Sequence, residues 1–263
     1  MAGLEIGTTK AVAEAAFDLI DKARKQGWLD KLIDALRKKH RVLVLGATGG
    51  GKTAFLESLS EIVPKAIDLM NRTEFVERYH VRISKQPFIF TDTPGQIHHK
   101  ARRVAAIKDA MTEKSGIAGV INVVSYGYNE SRAVAKPEIK SNGKVSETFL
   151  KEQRQLEIDM LDEWAPLLGG VESTNWLITV VTKADLWWKQ RDKVLAHYES
   201  GPYYQALGEA QSLKPVVLPY CAVFQKFYEQ VTMSGDYEDA DRIQAKAQMI
   251  RTLLAAIGNE HHA

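Results

Sequence analysis

The run Val42-Leu43-Val44-Leu45-Gly46-Ala47-Thr48-Gly49-Gly50-Gly51-Lys52-Thr53 constrains this chain more than any other stretch. Four consecutive apolar residues read as a strand buried on both faces. Gly46 ends that strand, and Ala54-Phe55-Leu56-Glu57-Ser58-Leu59 reads as a helix. The loop between them is rich in glycine, whose missing Cβ lets backbone N–H groups close on a bound group. Strand, glycine loop and helix in that order predict an α/β fold whose chemistry sits at the carboxyl ends of strands.

The spacing from Gly46 to Gly51-Lys52-Thr53 is that of a phosphate-binding loop. Its N–H groups can wrap a polyphosphate, and the following helix aims its positive end at the same place. Lys52 would reach the β- and γ-phosphates, and the Thr53 hydroxyl would bind Mg²⁺. Gly46, Thr48, Gly49, Gly50, Gly51, Lys52, Thr53 and Ala54 are thus candidate nucleotide-binding residues.

Composition narrows the class. The 263 residues are 45% hydrophobic and 26% charged, enough for one large domain with additions. A net charge of +2 gives no global reason to expect nucleic acid as a partner. Cys221 is the only cysteine, so no intramolecular disulfide can form. No apolar run approaches the ~20 residues of a membrane span, and the first residues lack a secretory signal pattern. The expectation is a soluble cytoplasmic protein without a transmembrane segment.

Residues 1–40 are expected to form a helical extension ahead of a domain over 41–263. Within 8–39, two amphipathic stretches either dock on the core as a helix pair or offer a partner or membrane-surface contact. Phe75 to Phe90 reads as a hairpin, which makes one strand antiparallel in an otherwise mainly parallel sheet. Ile117 to Val124, Trp176 to Val181 and Val216 to Leu218 read as further strands. Phe149 to Leu168 reads as a helix with Leu156, Met160, Leu161 and Trp164 inward. The polar stretch 126–148 reads as an insert, either a disordered loop or a partner-recognition element. The last helix, from about Ala240 to Ile257, places Ile243, Ala247, Ile250, Leu253 and Leu254 on one face.

Two more strand ends carry chemistry. Asp92 follows a buried strand and precedes Gly95-Gln96. A carboxylate there can hold Mg²⁺ through a water. The Gly95 N–H can approach a γ-phosphate, and Gln96 lies beside the place of an attacking water. Thr182-Lys183-Ala184-Asp185 closes the next-to-last strand. The Asp185 carboxylate can accept two hydrogen bonds from N1–H and the exocyclic amine of guanine, groups adenine lacks, and a site built for them rejects the wrong base. Lys183 can lay its aliphatic stem over the base.

Taken together, these three segments resemble the Ras-like superfamily of P-loop GTPases. The resemblance runs in order from about Arg41 to Ile257. It implies a six-stranded sheet with helices on both faces, GTP/GDP as ligand, Mg²⁺ as cofactor and a protein effector or regulator as partner. It also implies a switch threonine capping Mg²⁺ and the γ-phosphate, for which Thr73 is best placed. A last base-supporting loop falls on Cys221-Ala222, where no lysine follows. In the expected reaction water attacks the γ-phosphate, with Lys52 neutralising charge and Gln96 orienting the water. Thr48 stands where many members carry glycine, and no arginine in cis is evident, so turnover is expected to be slow. The competing expectations are a nucleotide-binding scaffold with negligible hydrolysis and an ATPase or nucleotide kinase of another P-loop branch.

Overall fold

The computed structural model describes residues 40–61, 77–83, 86–92, 101, 104–105, 107–109, 117–130, 139, 144–168, 174–224, 226–228 and 236–258. Residues 8–39 lie outside the described residues, as do Thr73, Gly95 and Gln96.

Among the described residues, the strands are β1 (His40–Gly46), β2 (Glu77–Ile83), β3 (Gln86–Asp92), β4 (Gly119–Val124), β5 (Trp176–Val181) and β6 (Val216–Pro219). They form one sheet in the order β2-β3-β1-β4-β5-β6. β2 pairs antiparallel with β3, and the other neighbours pair in parallel. The helices are α1 (Lys52–Glu61), α2 (Glu147–Asp159), α3 (Ala165–Leu168), α4 (Ala184–Trp187), α5 (Arg191–Glu199), α6 (Pro202–Ala206) and α7 (Asp239–Gly258).

Every residue of β1, β4 and β5 is buried, which is why these strands read as unbroken apolar runs. Alternate residues serve opposite faces. Leu43, Leu45, Val120 and Leu177 join Leu150, Leu161, Trp164 and Val194 in one core layer. Val42, Val44, Ile121 and Ile178 join Phe55, Leu59, Met249 and Leu253 in the other. Helices therefore cover both faces. Gly119 has no room for a side chain, because a Cβ there would stand 2.0 Å from the Trp176 ring.

Register sets the site. Val44 of β1 aligns with Asp92 of β3, Gly46 with Val123 of β4, Val124 with Val181 of β5, and Val181 with Pro219 of β6. The strands thus end at one level, and their following loops leave from one edge of the sheet.

Two expectations need correction. The α2 region is not one helix with Leu156 fully inward. After Asp159 it tightens into a 3₁₀ turn at Met160–Glu163 before α3, and the buried residues of α2 are Leu150, Gln153 and Glu157. The inward face is partly polar because Glu157 satisfies backbone donors of the loop after β4. On α7 the buried line is Ala245, Lys246, Met249, Leu253 and Ile257, with Ile250 and Leu254 half-buried beside it. Leu253 is buried as expected, while Met249 and Ile257 join it in the core in place of Ile243 and Ala247. Tyr126 to Asn129, at the start of the stretch 126–148, are all buried.

Candidate functional site

The loop after β1 is built on left-handed glycines. Gly46, Gly49 and Gly51 have φ of 136°, 78° and 91°, conformations that L side chains rarely adopt. Space forbids a side chain at two of them: a Cβ at Gly46 would meet the Val123 carbonyl at 2.1 Å, and one at Gly49 the Glu130 carbonyl at 2.2 Å. The Gly50 N–H donates to the Ala47 carbonyl at 3.2 Å, and the Phe55 N–H donates to Gly51 at 2.9 Å, so helical bonding begins at once.

Lys52 is 8% exposed, and its Nζ donates to the carbonyls of Gly46 (2.8 Å) and Ala47 (3.3 Å). Its ammonium is therefore held against the start of the loop. Thr53 is exposed and Ala54 half-buried in the first turn of α1. The Thr48 hydroxyl oxygen is buried with no hydrogen-bond partner among the described residues. Asp92 ends β3, half-buried.

The Thr182–Asp185 segment is tied directly to this loop. Thr182 Oγ1 lies 2.6 Å from the Gly50 carbonyl and 2.9 Å from the Val124 carbonyl, within donating reach of both. Trp187 Nε1 donates to the Thr182 carbonyl at 2.8 Å, which fixes the turn from beneath. Lys183 takes a left-handed conformation, φ 55°. Its Nζ donates to the carbonyls of Gly49 (3.0 Å) and Tyr128 (2.5 Å) and stands 5.2 Å from the Phe227 ring centre. Burial pulls its pKa down to about 8, against the raising fields of Glu130, Asp185 and Glu157.

Asp185 lies in the first turn of the short helix α4 and is 2% exposed. The Cys221 thiol donates to its Oδ1 at 3.3 Å, while Oδ2 is buried without a partner among the described residues. Burial pushes the Asp185 carboxyl pKa up, with the Cys221 contact and Lys183 opposing. Burial also raises that of the Cys221 thiol, with the Asp185 charge second. Cys221 follows β6, as Asp185 follows β5, and the Ala184 N–H donates to the Tyr220 carbonyl at 3.1 Å. The half-buried Ala222 comes next. Tyr220 in turn sits edge-on to Phe55 and its hydroxyl pairs with Ser58 Oγ at 2.6 Å, so this loop is braced on α1.

Of the residues singled out from sequence, the structure brings together the loop Gly46–Lys52 and Thr182–Asp185, and sets Cys221 beside Asp185. Sequence reasoning missed Asn129 and Glu130, which press on the glycine loop, Tyr128, whose carbonyl accepts from Lys183, and Phe227 beside Lys183. The available signal was position alone: Ser125 to Glu130 leave the carboxyl end of a buried strand, at the edge where the other motifs lie.

The arrangement brings to one sheet edge a loop of left-handed glycines, a lysine whose Nζ lies against that loop, and a buried carboxylate oxygen without a partner among the described residues. Such a set suits a phosphate chain joined to a base that donates hydrogen bonds. The hard oxygens of Thr53 and Asp92 suit Mg²⁺. Among the described residues no cluster of three or more His, Cys, Asp or Glu could hold a metal by itself, and no helix is long and apolar enough to cross a membrane.

Residues 41–160 match the family described as 50S ribosome-binding GTPase. No curated protein matches the chain. Among solved structures, it is similar to translation elongation factor SelB from Methanococcus maripaludis, in complex with the GTP analogue GppNHp. Identity there is 14% and the TM-score 0.43, over 84% of this chain and 34% of SelB. A dimerization-deficient mutant of Toc33 from Arabidopsis thaliana gives 15% identity and a TM-score of 0.48, over 95% of this chain and 93% of that one. The GTPase family match thus begins in β1 and takes in the glycine loop, and Thr182–Asp185 meets that loop at the same sheet edge.

Proposed function

We propose that the chain binds GTP and GDP with Mg²⁺ and hydrolyses GTP slowly, as a switch. The observation that carries this reading is the tether between the two halves of the site. Thr182 and Lys183 reach the carbonyls of Gly50 and Gly49, so a base held at Asp185 and phosphates held at Gly46–Ala54 belong to one ligand. Asp185 Oδ2, buried and unpartnered, is the acceptor a guanine N1–H or amine would satisfy.

Lys52 would neutralise charge on the β- and γ-phosphates. Thr53 and Asp92, with Thr73, would hold Mg²⁺, which supplies further neutralisation when bound. Gly95 and Gln96 are assigned to the γ-phosphate and the attacking water on sequence grounds. Cys221-Ala222 would support the base, with Cys221 also orienting Asp185. A regulatory protein partner, contact through residues 8–39 and cytoplasmic residence belong to the same proposal.

Direct competition of GTP against ATP tests base selection: GTP should win by a large factor, and equal binding would sink the role of Asp185. Asp185→Asn should shift preference toward xanthine nucleotides. The scaffold reading has one observation in its favour, the buried, unpartnered Thr48 hydroxyl at the loop. Single-turnover phosphate release from wild type and Gln96→Leu separates the two. A slow wild-type rate that drops in the variant is the expected result, and equal rates would leave the scaffold standing.

A further inference from the structure

The chain after β4 turns back into the domain instead of leaving it, and one carboxylate arranges the turn. The N–H groups of Ser125 and Gly127 and the side-chain amide of Asn129 converge on Glu157 Oε1 at 3.0, 3.1 and 3.3 Å. Tyr198 donates its hydroxyl to Oε2 at 2.6 Å while accepting from the Tyr126 N–H at 2.9 Å. Glu157 is 2% exposed. Every group facing it is a donor, which fits the ionised, acceptor-only carboxylate. Burial pushes its pKa up and these donors pull it down. An apolar residue here would strand several buried N–H groups, each costly to leave unpaired.

The far side of the same loop is a wall of the phosphate site. The Glu130 N–H donates to the Gly49 carbonyl at 3.2 Å. The Tyr128 carbonyl accepts from Lys183 at 2.5 Å. A Cβ on Gly50 would stand 3.4 Å from Asn129 Oδ1. Glu157 touches none of the expected ligand atoms, yet the loop it holds at Ser125, Gly127 and Asn129 reaches Lys183 through Tyr128 and Gly49 through Glu130.

We propose that Glu157 is a positioning residue for the nucleotide: it shapes the loop 125–130, and through that loop it fixes Gly49 and Lys183 and slows nucleotide release. The proposal rests on the guanine-nucleotide reading and assigns it a buried organiser on a helix that carries none of the motifs.

The test uses the full chain and fluorescent N-methylanthraniloyl-GDP. Release is followed by stopped flow across pH, with thermal unfolding measured alongside. Glu157→Gln keeps an oxygen for the loop donors and removes the charge. It should release the nucleotide about tenfold faster, the scale of one weakened charge-assisted hydrogen bond. Three carboxyl groups, Glu130, Asp185 and Glu157, hold the Lys183 pKa up against burial. Losing one should therefore move the alkaline weakening of retention to lower pH. Tyr198→Phe keeps the carboxylate and removes one donor away from the phosphate loop; it should change release less and leave the midpoint in place.

A purely structural Glu157 would lower the unfolding temperature of Glu157→Gln yet leave release and midpoint unmoved, and that result overturns the proposal. Should Glu157→Gln fail to fold, Asn129→Ala takes its place: faster release at an unmoved midpoint supports the proposal, and unchanged release overturns it. A wild type that retains no guanine nucleotide removes the binding reading and this inference together, whereas retention with unchanged release in the variants removes this inference alone.

Discussion

At the scale of single residues, the site keeps an unstable group for use. Asp185 holds one thiol contact at 3.3 Å and leaves Oδ2 buried and unpaired. Its pKa is raised in the folded chain, chiefly by burial. A raised folded value means that the native state favours the protonated form. The group's contribution is therefore most favourable below its unfolded value and is lost as pH rises through the folded one. As pH rises, the nucleotide-free protein takes on the cost of burying that charge. Asp185→Asn should thus raise the unfolding temperature without nucleotide, by about 2–4 °C for each kcal/mol recovered in a chain of this size. The advantage should shrink on acidification. Thermal scans from roughly pH 5 to 8 check both points; a variant less stable than wild type at neutral pH would show that Asp185 is satisfied within the protein. Guanine selectivity should be lost in the same variant, the usual opposition of stability and function at a binding site.

At the scale of elements, legibility followed periodicity where one face is apolar and failed where polar groups do the packing. β1, β4 and β5 were readable because burial on both faces leaves only apolar residues. On α2, Gln153 and Glu157 point inward because the loop after β4 needs acceptors, and no hydrophobic pattern records that need. On α7 the apolar residues circle much of the helix, so composition allowed two faces, and contact with Phe55, Leu59 and Ile178 selected the line through Met249 and Leu253. The two faces differ measurably. Leu253 is 0% exposed and Leu254 only half-buried. Leu253→Ala should cost about 2–5 kcal/mol in urea unfolding, the range for a filled core site. Leu254→Ala should cost distinctly less. Equal costs would restore the face expected from sequence.

At the scale of the whole molecule, the site is a property of register more than of any motif. Gly46, Val124, Val181 and Pro219 end neighbouring strands at one level, so segments far apart in the chain meet without a long excursion. That is why the glycine loop and Thr182–Asp185 could be paired from sequence: each sits directly after a buried strand, and parallel strands joined by right-handed crossovers present those ends together. Tyr128 and Phe227 could not be found that way, because neither belongs to a spacing pattern; they are set by how the loops pack on one another. A single ligand spanning these ends must protect them jointly. With GDP at 100 times its dissociation constant, linkage adds about 2.7 kcal/mol to global stability. Amide hydrogen exchange should then slow together in 46–51, 182–185 and 219–222, because base and phosphates are one molecule. Inorganic pyrophosphate should slow exchange in 46–51 alone. Protection confined to 46–51 with GDP as well would mean that the base hangs free of Asp185, and that the edge of the sheet grips phosphate without reading guanine.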